Sequence, residues 1–176
     1  MPDETEGGRR LPPALAEVAR VEFDYDHGNG VDFEPYDAFD SAEDTTDWLR
    51  SWTGNPDVDG STHRVFGKHG TGGLAAVWCA RPGRPLHEQP VVFLGSEGEA
   101  GVVAGDLSDF LWVLADGYGP REALWHEEEW KARPNAALAD IAARHATTPR
   151  RPAREIVATA EAEFPTFAED LDELCR

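Results

Sequence analysis

The side chains of this chain that could carry chemistry are scattered acids, six histidines, two cysteines and one glycine-rich stretch, so their spacing decides what is possible. Gly67-Lys-His-Gly-Thr-Gly-Gly73 has glycines that would let backbone amides approach a phosphate, but a phosphate loop needs Gly-Lys-Ser/Thr opening a helix. Here the lysine precedes the glycines and an apolar run follows, which reads as a hairpin turn. Asp24-Tyr-Asp26 with Asp32 has the opening of a calcium loop. Counted from Asp24, however, Asn29 and Pro35 stand where such a loop requires Gly and Glu. His126-Glu-Glu-Glu-Trp130 contains ligand-type residues without the second histidine of the His-Glu-x-x-His zinc pattern, and it reads as a solvated helix face. Ser96 has Leu at position 94, where the Gly-x-Ser-x-Gly pattern of a nucleophile elbow requires glycine, and it reads as a turn serine. Cys79 lies in an apolar run with no base nearby in sequence and reads as a small core residue. No catalytic residue, cofactor site or metal site is therefore expected.

Charge is the chain's strongest chemical feature. Among 176 residues there are 34 acids and 16 bases, a net charge of −18. With no basic excess to release counterions, binding to nucleic-acid phosphates or to an anionic membrane surface is excluded. The excess is local: residues 1–60 hold 16 acids and 4 bases, whereas residues 61–104 hold 3 and 4. Asp24, Asp26, Asp32, Glu34, Asp37, Asp40, Asp44 and Asp47 form the candidate surface for a basic protein partner. Trp112, Trp125 and Trp130 join them as candidate contacts. Trp112 lies off the apolar stripe of its helix and the other two sit among charges, and exposed tryptophan is enriched in interfaces.

These residues must be held by an α+β domain with a mainly antiparallel meander sheet covered by helices. Residues 1–10 read as a disordered tail, 11–118 as the core, and 119–176 as a C-terminal helical extension packed on it. Val21–Asp26 and Val31–Glu34 alternate apolar and acidic residues around His27-Gly-Asn-Gly30, which predicts an acidic hairpin. Ser41 and Asp44 have the spacing of a capping box, followed by Thr45, Trp48, Leu49 and Trp52 on one face before Gly54. Strands are expected at 64–67, 74–80, 90–95 and 101–104. Their continuous apolar runs imply cover on both faces. Asp106 and Asn135 are expected helix N-caps, with two short helices after Pro152 lined by Ile156, Val157, Ala160 and Phe164, then by Phe167, Leu171 and Leu174.

The stretch from Arg64-Val-Phe-Gly67 through Gly70–Trp78, Gln89–Gly98, Val102-Val-Ala104 and Leu107–Ala115 resembles the core of the SUKH superfamily, the Smi/Knr-like proteins. The resemblance covers about residues 62–118. It implies a single α+β domain that binds proteins, without catalytic residues; bacterial members are similar to immunity proteins that neutralise toxins, often nucleases. Leu11-Pro-Pro13 departs from the family's opening helix in lacking its aromatic residue. Two other readings compete. One is an enzyme with a site of dispersed acids and histidines, in which Glu97 would share a pocket with His69 or His63. The other is an acidic protein adapted for solubility in a high-salt cytoplasm, since only two lysines, Lys68 and Lys131, are present. A cytoplasmic location is expected from two distant thiols, Cys79 and Cys175, and from the absence of a long apolar run. Oligomeric state has no signature in the sequence.

Overall fold

Residues 8–176 are described by the computed structural model. Five strands form one antiparallel sheet in meander order: β1 (Glu34–Pro35), β2 (His63–Lys68), β3 (Leu74–Trp78), β4 (Val91–Leu94) and β5 (Ala100–Ala104). Among the described residues seven α-helices surround it: α1 (Pro13–Val18), α2 (Ala42–Thr53), α3 (Leu107–Ala115), α4 (Pro120–Leu124), α5 (Ala136–His145), α6 (Ala153–Glu163) and α7 (Phe167–Asp172). The expected α+β architecture is present.

The apolar runs of β3 and β4 are explained by two cores, one on each side of the sheet. Ala75 and Val77 of β3, with Val91 and Phe93 of β4, face a cluster built with α1, α3 and α5. The intervening Leu74, Ala76, Val92 and Leu94 face a second cluster made with Leu49 of α2, Ala160 of α6, and Phe167 and Leu171 of α7. Alternate side chains of a strand point to opposite faces, so a strand covered on both must be apolar throughout. Leu174, expected on the inward face of the last helix, lies beyond its end and is 40% exposed.

The capping residues act as their types predict. Ser41 Oγ accepts from the Asp44 N–H at 3.0 Å, Asp106 Oδ1 from Asp109 N–H at 2.8 Å, and Asn135 Oδ1 from Leu138 N–H at 3.0 Å. Each satisfies a helix-start amide that has no partner within its own helix. A short helix, α1, not expected from the sequence, is opened by Pro13 in its first turn and buries Ala14, Leu15 and Val18. Residues 1–7 of the expected disordered tail lie outside the described residues. Arg9, at its end, is fixed by two hydrogen bonds: its carbonyl accepts from Phe39 N–H at 2.8 Å and its Nε donates to Phe39 O at 2.9 Å.

The acidic hairpin does not form. Val21, Phe23, Val31 and Phe33 pack inward as the alternation implied, with Phe23 and Phe33 edge to face at 5.2 Å. Cross-chain bonds between the two segments are confined to Val31 N–H to Asp24 O and Gly30 N–H to Tyr25 O. The second segment pairs instead with β2, Glu34 opposite Lys68 and Pro35 opposite Gly67. Gly67 permits this approach, since a Cβ there would lie 2.4 Å from the Phe33 ring. The result is a looped acidic segment on the sheet edge, with Asp26 and His27 in left-handed backbone conformation at φ 42° and 52°.

Candidate functional site

A cleft of about 470 Å³ opens between the 25–32 loop and the segment that follows α4. Its walls are Tyr25, Trp125 and Trp130. Its floor is Asp32, His69 and Glu122. The elements bring these together for identifiable reasons. His69 and Thr71 lie in the β2–β3 turn, which is closed by His69 N–H to Gly73 O at 2.8 Å. Asp32 Oδ1 accepts the Gly70 N–H at 3.0 Å, and a Cβ at Gly70 would stand 2.4 Å from that carboxylate. Glu122, in the first turn of α4, accepts the Asp32 N–H on Oε1 at 3.0 Å, while its Oε2 is buried without a hydrogen-bond partner. Trp130 is fixed by donating Nε1–H to Gly30 O at 2.9 Å.

The floor is electrically unusual. His69 Nε2 lies 3.6 Å from Asp32 Oδ2 and 3.8 Å from Glu122 Oε1, near both carboxylates but beyond hydrogen-bond reach. Burial pushes the His69 imidazole below its ordinary pKa, outweighing the opposing pull of the Asp32 charge. Burial also raises the Glu122 carboxyl above its ordinary range, against the lowering effect of the Asp32 N–H. At neutral pH the histidine is thus uncharged, and Arg121 is the cleft's one guanidinium among Asp32, Glu122, Glu127 and Glu129. Among the described residues no group of three His, Cys, Asp or Glu side chains stands in metal-binding geometry.

No family model matches the chain, and no curated protein or solved structure matches it significantly.

The structure brings together three of the eleven candidate contact residues in the cleft: Asp32, Trp125 and Trp130. Asp24 and Asp26 lie beside it. Asp24 Oδ1 accepts the Asp26 N–H at 2.8 Å, and Asp26 pairs with Arg133 at 2.8 Å. Glu34, Asp37, Asp40, Asp44 and Asp47 follow the sheet edge from β1 into α2. Glu34 is paired with Lys68 at 3.5 Å. Asp40 is half-buried and carries a raised pKa, first from burial and then from the Asp44 charge, with Arg9 acting in the opposite sense. Tyr36, between them in sequence, is raised by burial and by Asp40 and Glu34.

Trp112 stands apart from the cleft. It donates Nε1–H to Thr148 O at 2.9 Å, and the Arg150 guanidinium sits 5.6 Å over its ring. Its place off the apolar stripe reflects a role in holding the 147–151 segment. None of the three tryptophans is free of the fold; all are half-buried against the first core or its margin. The expected helix face at 126–130 is also absent: α4 ends at Leu124 and the chain runs without regular structure to Asn135. That irregular path turns Glu127 and Glu129 toward the cleft. Glu97 lines a different groove with Trp48, Trp52 and Ser96, so no site pairing it with His69 or His63 is assembled. The approach of His69 to Glu122 is not legible in the sequence, because the two lie far apart along the chain and an acid in a first helical turn is ordinarily explained by the helix dipole.

Proposed function

We propose that this chain is a non-enzymatic protein-binding module of the immunity type, which binds and neutralises a basic toxin domain in the cytoplasm through its acidic surface. The observation that carries this reading is uncompensated charge. Asp24, Asp37, Asp40, Asp44 and Asp47 make no ion pair among the described residues. Burial raises the Asp40 carboxyl pKa, and repulsion from the Asp44 charge adds to it. A partner cation placed on this edge would relieve that repulsion, and complementary fields raise association rates and reject like-charged partners. A nuclease domain suits the role, since the basic cleft that binds its substrate is what an acidic surface covers. The meander followed by a capped helix over residues 62–118 is the arrangement that the Smi/Knr-like resemblance implies. No helix among the described residues is long and apolar enough to cross a membrane.

Co-expression with toxin-like chains encoded beside this one tests the reading. Rescue of growth, with a purified complex whose affinity falls steeply as salt is raised, is the expected result. Absence of rescue and of any complex with those chains refutes it.

A further inference from the structure

The geometry points to the cleft between the 25–32 loop and the 121–130 segment as a guanidinium site, one that receives an arginine side chain of the basic partner. This rests on the proposed function and names the chemistry at the heart of the contact.

Three independent features converge. The first is the walls. Tyr25 is 56% exposed, an unusual state for a large aromatic in this chain, and it faces a cleft whose other walls are Trp125 and Trp130. Aromatic faces attract cations within about 6 Å of the ring, and the planar, weakly hydrated guanidinium stacks on them as an ammonium does not. The second is charge. Asp32, Glu122, Glu127 and Glu129 oppose Arg121 alone, and Arg121 makes no ion pair among the described residues. The cleft therefore favours a cation despite that arginine.

The third is the floor. Glu122 is only 6% exposed and lines the cleft, yet its Oε2 is buried without a hydrogen-bond partner among the described residues. Buried polar atoms are ordinarily satisfied, so one left open at the base of a cleft marks where a ligand group completes it. His69 Nδ1 accepts the Thr71 N–H at 3.2 Å, so the neutral ring carries its proton on Nε2, which faces Asp32 Oδ2 and Glu122 Oε1 at 3.6 and 3.8 Å. Asp32 uses Oδ1 for the Gly70 N–H and leaves Oδ2 beside that nitrogen. A guanidinium presents a planar fork of donors suited to the carboxylate oxygens that Asp32 and Glu122 leave open.

Calorimetric titration of the full chain with tri-arginine and tri-lysine at physiological salt tests the inference. Tri-arginine is expected to bind at least tenfold tighter than tri-lysine. The exposed double substitution Glu127→Arg/Glu129→Arg should weaken tri-arginine at least tenfold. Asp44→Arg/Asp47→Arg on α2 changes net charge equally and should weaken it less than threefold. Equal binding of the two peptides, or equal loss in the two doubles, overturns the guanidinium site. If a toxin partner is bound and its affinity is unchanged by the cleft double, the site falls while the proposed function stands. If the peptides behave as expected and no toxin is neutralised, the function falls and the site stands.

Discussion

The backbone N–H of Asp32 donates to Glu122 Oε1 at 3.0 Å across 90 positions of sequence, so a buried carboxylate of α4 holds the loop that carries the acidic segment. Asp32 passes the constraint on by accepting the Gly70 N–H at the β2–β3 turn. Three separate stretches of chain are thereby tied at one point beneath the cleft.

Glu122→Ala is expected to destabilise the fold by about 1–3 kcal/mol, the cost of leaving a buried amide without its acceptor. Glu122→Gln keeps an acceptor and removes a buried charge. The folded-state pKa of Glu122 is raised, so its ionisation opposes folding above the ordinary carboxylate range and is neutral to folding below it. The Gln variant should match or exceed the wild type in urea denaturation at pH 7, with any advantage shrinking as pH falls toward the ordinary carboxylate range. A loss at pH 7 equal to that of the Ala variant would contradict this account.

Much of this architecture is legible in the sequence because its signals are local. Ser41, Asp106 and Asn135 cap helices through side chains that reach only three residues, and the β3 and β4 runs state their own burial. The looped 21–33 segment is not legible. Its alternation truthfully reports which side chains face inward, but the competition between Val21–Asp26 and β2 for the backbone of residues 31–35 is settled at Gly67 and Lys68, far along the chain. The cleft floor is hidden for the same reason. Nothing around Glu122 in sequence announces that Asp32 and His69 will close over it. The signal that was available is the density of aromatic and acidic residues between Trp125 and Trp130, once a regular helix is not imposed on it.

Gln89 offers a test of a buried polar tie. It is 2% exposed; its Oε1 accepts the Arg81 N–H at 2.8 Å, and its Nε2 donates to Arg81 O at 2.6 Å and Arg84 O at 3.1 Å. This closes the β3–β4 connection much as a backbone ladder would. Gln89→Leu fills similar space but leaves the Arg81 N–H and Arg84 O without these partners and Arg81 O with only the Arg84 N–H at 3.3 Å, and should lower stability by about 1–3 kcal/mol. Denaturation with an unchanged m-value and a lowered midpoint is the expected result; a midpoint within error of wild type would show that water replaces the tie.

Asp44→Lys and Asp47→Lys, on the exposed side of α2, should act on the rate of partner capture rather than on the lifetime of the complex. Long-range attraction steers encounter, whereas rim charges contribute little once the surfaces are in contact. Stopped-flow association at low salt should slow by roughly tenfold for the pair, with the difference shrinking at high salt as screening takes over. A change confined to the dissociation rate would place these aspartates at the centre of the interface instead.

His63 and Trp78 are register partners at the far end of β2 and β3, their rings stacked with centroids 6.5 Å apart. His63 Nε2 is buried without a partner, and burial lowers the imidazole pKa to about 4. In the unfolded chain the same ring titrates near about 6.5, so between these values the unfolded state binds the additional proton. The contribution of His63 to stability is therefore complete above the unfolded pKa and is lost as pH falls through the window to about 4, amounting to roughly 3 kcal/mol. His63→Phe retains a planar ring against Trp78 and cannot be protonated. The difference in unfolding free energy between variant and wild type should grow in the variant's favour from pH 7 to pH 4 and then level off. Parallel stability curves across that window would mean that the folded protein admits the proton to His63, and that the β2–β3 end of the sheet opens to water.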